Sequence, residues 1–87
     1  MDFGEAIRKL KEGRKVCRPG WNGKNMWLIY VPGSSVDTTL GSPYRNAGLI
    51  QANLNPHIDM MTATGQMQPG WLASQTDMLS DDWEIFT

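Results

Sequence analysis

Two tryptophans follow a Pro-Gly pair: Trp21 in RPGWNGKNMW (18–27) and Trp71 in QPGWLAS (68–74). Pro-Gly and Asn-Gly are turn dipeptides, so both indoles stand at loop corners, where a large apolar ring gains nothing from facing water. Such a ring folds back as a lid on the core, anchors a subunit contact, or offers a stacking face to a planar ligand such as a nucleobase. The neighbouring residues suit the last role. Asn22 and Gly23 follow Trp21, while Ser74, Gln75, Thr76 and Asp77 follow Trp71. Amides match base edges, hydroxyls match ribose or phosphate, and backbone N–H groups at a helix start match anions. Aromatic walls beside a few fixed polar groups describe a small-molecule pocket. The double turn at 19–23 is expected to hold the Trp21 indole outward, so that stacking on it costs little ordering entropy.

Catalytic chemistry has less to work with. His57 is the only histidine and Cys17 the only cysteine. Nothing in their spacing joins them as a base and a nucleophile, and metal sites built on His or Cys are excluded by count. Asp81 and Asp82 are neighbours on an expected strand edge and face opposite ways, a poor acid–base pair. PGSS at 32–35 lacks the lysine and the spacing of a phosphate-binding loop. Binding is therefore favoured over catalysis, with no cofactor and no metal expected. The alternative is an inhibitor or adaptor that uses Trp21 and Trp71 as protein-interface anchors.

The elements that must position these residues are short. Phe3, Ala6, Ile7 and Leu10 recur at helical spacing, with Asp2 and Glu5 forming a capping box and Gly13 a stop. RKVCR alternates as a short strand. NMWLIYV (25–31) is the clearest strand and is apolar at both parities, so both of its faces are expected to be covered, one by another subunit. Residues 34–56 are turn-rich and polar and are expected to form a long loop in which only AGLIQ resembles a strand. HIDMMTATGQM has the alternation and the Thr64-Gly65 turn of a hairpin. Ser74 and Asp77 form a second capping box over one helical turn, 75–79, and DWEIF closes the chain as a strand. Trp27 and Trp83, in apolar strands, are expected in the core. The whole is a single small α+β domain, 1–87, with an N-terminal helix and a twisted antiparallel sheet.

Composition sets outer limits. Eight Lys+Arg against nine Asp+Glu, net −1, give no basic excess for a DNA or RNA backbone. No apolar run approaches the roughly 20 residues of a membrane span. MDFGEAIRKL has no signal-peptide core and Cys17 has no partner, so a reducing cytoplasm is the expected location. An 87-residue core is small, and oligomerisation is an expected source of further stability.

MDFGEAIRKLKEGRKVCRPGWNGKNMWL at the start and GWLASQTDMLSDDWEI at the end resemble the second family of Thoeris anti-defence proteins, small phage and prophage proteins once catalogued as a domain of unknown function. PHIDMMTATGQ also fits the family pattern at Pro56, Ile58, Met60, Thr62 and Gly65. The likeness leaves out roughly 34–55, and the Pro-Gly before Trp21 departs from it, since a basic residue is common before that glycine. The resemblance implies a sponge in the infected host cell: homotetramers that sequester glycocyclic ADP-ribose signals uncleaved, in pockets at subunit boundaries. Some members also bind cyclic oligonucleotides of CBASS defence at a separate site. Carried onto this chain, the ligand-binding residues are Trp21, Asn22, Gly23, Trp71, Ser74, Gln75 and Asp77. Phe3 is a further wall residue, although helical periodicity alone explains it as core. Arg18, beside the turn, and Arg45, in the loop, are the candidates to neutralise the ligand's phosphates.

Overall fold

The computed structural model describes residues 1–87. Helix α1 spans Phe3–Lys11, and both hydrogen bonds of the Asp2–Glu5 capping box are present. Gly13 follows at φ +90°, a backbone conformation that costs glycine nothing and ends the helix. Strands β1 (Val16–Cys17) and β2 (Trp27–Val31) come next, then β3 (Ser34–Asp37), helix α2 (Pro43–Asn46) and β4 (Gln51–Leu54). Strands β5 (His57–Met61) and β6 (Met67–Gln68), helix α3 (Gln75–Leu79) and β7 (Glu84–Ile85) complete the chain.

Five strands form one antiparallel sheet in the order β6-β5-β2-β1-β7. Its register pairs Val16 with Leu28 and Ile85, Leu28 with Met60, and Tyr30 with Ile58, so these side chains share one face. That face receives α1. Ala6, Leu10, Val16 and Leu28 are buried there with Trp83, which is 1% exposed. Each large apolar side chain so buried contributes about 1.5–3 kcal/mol, a substantial share for so small a core.

Trp27 is not in that core. It sits one residue before Leu28 and so points to the opposite face, half-buried against Phe86 at 6.3 Å, with the Lys15 ammonium 5.0 Å from each ring centroid. Period-2 alternation sorts Trp27 from Leu28 only once the inward face is known, and WLIYV is apolar on both. Trp83 is core as expected.

Residues 34–56 are not a structureless loop. Strands β3 and β4 pair as a two-stranded arm, closed at its tip by α2. Within AGLIQ only Gln51 is in a strand; QANL forms β4 instead. The arm has few apolar pairs, so hydrophobic alternation could not reveal it. It is held by the strand ladder and by Arg45, whose Nε and Nη2 donate to Thr38 Oγ1 (2.9 Å) and Thr38 O (2.6 Å). Ser42 as N-cap followed by Pro43 was the local signal for α2. Because the arm's elements pack only on one another, the radius of gyration is 15.2 Å, against about 12 Å for a sphere-like chain of this length.

Candidate functional site

The second capping box is complete. Ser74 Oγ accepts from Asp77 N (3.0 Å), and Asp77 Oδ2 accepts from Ser74 N (3.1 Å). The box fixes the Asp77 carboxylate at the start of α3, and that carboxylate gathers residues from distant parts of the chain. Its Oδ1 accepts from Trp21 Nε1 (2.9 Å) and from Arg18 Nη1 (2.6 Å). The Asp77 carbonyl accepts from Trp83 Nε1 (2.8 Å). Arg18 Nε donates to Asp82 Oδ1 (2.7 Å), and Asp82 Oδ2 accepts from Gly20 N (3.2 Å) in the turn that carries Trp21. Arg18 and Asp77 side chains are only 10% and 11% exposed, so this is a largely enclosed, hydrogen-bonded ion pair.

Electrostatics follow from those bonds. Burial pushes the Asp77 carboxyl up, but the donors from Trp21, Ser74 and Arg18 outweigh it and hold the group below its ordinary value. The Arg18 guanidinium holds Asp82 low as well, against a smaller effect of burial. Arg18 is pushed up, chiefly by Asp82 and against burial, and stays charged. Cys17 is pushed up by burial and then by Glu84, which leaves an unreactive thiol. Carboxylates lowered by folding add stability above the unfolded-state value of 3.8, and lose it as pH falls through the folded-state value. Unfolding free energy is therefore expected to fall below about pH 4, and less steeply in Asp77→Asn than in wild type; denaturant titration from pH 2 to 7 measures both slopes.

Above this polar hub lies an aromatic cluster. Buried Trp83 is its centre, with Phe3 at 5.4 Å, Trp21 at 5.5 Å and Trp71 at 6.2 Å, and the two indole contacts are edge-to-face. Trp71 also lies 6.4 Å from both Phe3 and Trp21. The three outer rings are half-buried. Trp21 is thus not held outward by its turn: Asp77 draws it inward by the indole nitrogen, and the ring is left half-buried. The Trp21 and Trp71 planes are inclined by 62°. Sandwiching a planar group needs parallel rings about 7 Å apart, twice the contact distance, so one protomer offers two inclined faces rather than a slot.

The remaining expected residues divide. Ser74 and Asp77 belong to the hub, with Arg18, whose charge is already matched by two carboxylates. Asn22 and Gln75 are exposed beside the cluster, free to reach a ligand. Arg45 is committed to the arm. Gly23 is packed: a Cβ there would meet Met26 Sδ and would lie 2.7 Å from Ala63 Cβ, in the β5–β6 turn. Gly23→Ala is therefore expected to cost about 1–3 kcal/mol by overpacking, read as a lowered melting temperature with a shifted tryptophan emission. Sequence reasoning missed Trp83 as the cluster's centre and Asp82 as Arg18's second partner, since neither carries a local signal. A cavity of about 330 Å³ lies farther along α1, lined by Ile7, Leu10, Lys11, Tyr30, Pro56, His57 and Ile58, and contains none of the expected residues.

A family model described as the Thoeris anti-defense 2-like domain matches residues 1–86. The chain belongs to this family. Thoeris anti-defense 2 of Bacillus phage SP01 is 35% identical to it over 85 residues, covering 98% of this chain and 93% of that relative. Membership in the Thoeris anti-defence family supports a phage anti-defence role, and the match takes in the arm at 34–54, which the end motifs alone leave out. No helix is long and apolar enough to cross a membrane.

Proposed function

We propose that this protein binds cyclic nucleotide immune signals of the glycocyclic ADP-ribose type and sequesters them uncleaved in the cytoplasm of the infected cell. Cyclic oligonucleotides of CBASS defence are a further ligand class. The observation that carries the proposal is the trio of half-buried rings, Phe3, Trp21 and Trp71, backed by buried Trp83 and bordered by Asn22, Ser74 and Gln75. A nanomolar sponge needs about 12 kcal/mol of binding free energy. Base stacking supplies about 1–3 kcal/mol per base, so hydrogen bonds to base edges, ribose and diphosphate must provide the rest.

The inclined rings support a site completed by a second copy of the chain. Apolar surface for such an assembly is at hand: Leu72 (90% exposed) follows Trp71, Leu79 (78%) ends α3, and Leu40 (86%) and Ile50 (73%) lie on the arm. We accordingly propose a homo-oligomer, a tetramer by likeness to the family, with no nucleic-acid or membrane partner. The exposed Leu72 beside Trp71 equally favours a second reading, an adaptor whose partner is another protein. Calorimetry against a panel of cyclic nucleotides separates the two. A sponge gives saturable heat with at least one of them at nanomolar affinity; an adaptor gives none.

A further inference from the structure

We propose that Asp59 is a positioning residue that keeps Trp71 on the ligand-binding face of the sheet. Its consequence for affinity rests on the proposed function; its structural content does not. Strand β6 pairs with β5 as Met61 with Met67 and Met60 with Gln68. Continued regularly, that register sets Gly70 opposite Ile58 and Trp71 opposite His57. His57, Asp59 and Met61 lie on the face of Trp27, Ile29 and Val31, away from α1, so a regular ladder would send Trp71 to the wrong side.

The chain departs from that register by one residue. Trp71 N donates to Ile58 O at 2.7 Å, so Trp71 takes the place opposite Ile58 and shares its inward face with Phe3 and Trp83. The extra residue is accommodated at Pro69-Gly70. Proline has no N–H for the ladder, and Gly70 sits at φ +77°, the left-handed conformation of a glycine bulge. The slip leaves the Gly70 amide without a main-chain partner. Asp59 supplies one: its Oδ1 accepts from Gly70 N at 2.9 Å, and the same oxygen lies 3.5 Å from His57 Nε2. A carboxylate in mid-strand is unfavourable by local preference, and this bond is the compensating gain.

The test compares Asp59→Ala with Asp59→Asn, which keeps an acceptor oxygen. Three readouts are taken on the folded protein: exchange of the Gly70 amide, the near-ultraviolet circular dichroism of the packed indoles, and affinity for glycocyclic ADP-ribose. Asp59→Ala is expected to speed Gly70 exchange at least about tenfold, reduce the indole signal, and weaken binding about tenfold or more. Asp59→Asn should stay within about threefold of wild type in exchange and affinity. Asp59→Ser, too short to reach Gly70, replaces the alanine variant if that variant does not fold. Wild-type exchange and dichroism in either truncated variant overturns the proposal. If wild type itself binds none of the cyclic nucleotides, the proposed function fails, while exchange and dichroism still decide the role of Asp59.

Discussion

Asp77→Ala is expected to destabilise the protein by about 4 kcal/mol and to release the Trp21 indole from the cluster. The substitution removes the acceptor for Trp21 Nε1 and one of two carboxylates on a guanidinium that is 10% exposed. Breaking a buried pair by deleting one partner costs about 3–5 kcal/mol, because the other charge stays buried and unmatched. Here Asp82 still bonds Arg18, which moves the figure to the low end of that range. Loss of the Ser74 N contact adds a capping cost of about 1 kcal/mol to the same end of α3. Against a total stability of about 5–15 kcal/mol for a domain, that is a large fraction. Urea unfolding measures it, and collisional quenching of tryptophan emission reports whether Trp21 has moved. Asp77→Asn keeps the oxygen that faces Trp21 but lacks the charge, and should fall between wild type and alanine in both measurements.

Trp21→Ala and Trp71→Ala carry the second large effect. Each ring is half-buried and rests on Trp83, so each truncation removes both packing and a stacking face. A lost stacked base is worth about 1–3 kcal/mol, a weakening of about five- to more than a hundredfold in Kd for glycocyclic ADP-ribose. With the two losses additive, the double variant should bind at least about thirtyfold more weakly than wild type, while α1 and the five-stranded sheet persist. Far-ultraviolet circular dichroism and a cooperative melt check that persistence. If both single variants fold and bind as wild type does, the ligand is elsewhere, and the cavity lined by Ile7, Tyr30 and His57 is the place to look.

Local sequence carried what local physics decides. The Asp2–Glu5 and Ser74–Asp77 boxes are patterns of residues three apart, and both form with both bonds. The Thr64-Gly65 turn was legible because Gly65 must take φ +83°. What escaped is long-range or one-residue register. Arg18, Trp21, Asp77 and Asp82 meet across separations of 56 to 64 residues, and no periodicity encodes such a meeting. The Pro-Gly before Trp71 signalled a turn, whereas in the fold it is a bulge whose effect is to change the face of the sheet. The same face ambiguity misplaced Trp27, and the polar arm escaped because SSVD and QANL pair through backbone rather than through apolar side chains.

Sequestration without turnover is the central claim, and recovery of the signal tests it most directly. Purified protein is incubated with glycocyclic ADP-ribose, separated from unbound ligand, heat-denatured, and the supernatant quantified by mass spectrometry. The account predicts that the signal is retained by the folded protein and returns chemically intact, in stoichiometric amount per binding site. Recovery of a hydrolysed or ring-opened product, or no retained nucleotide at all, would contradict it.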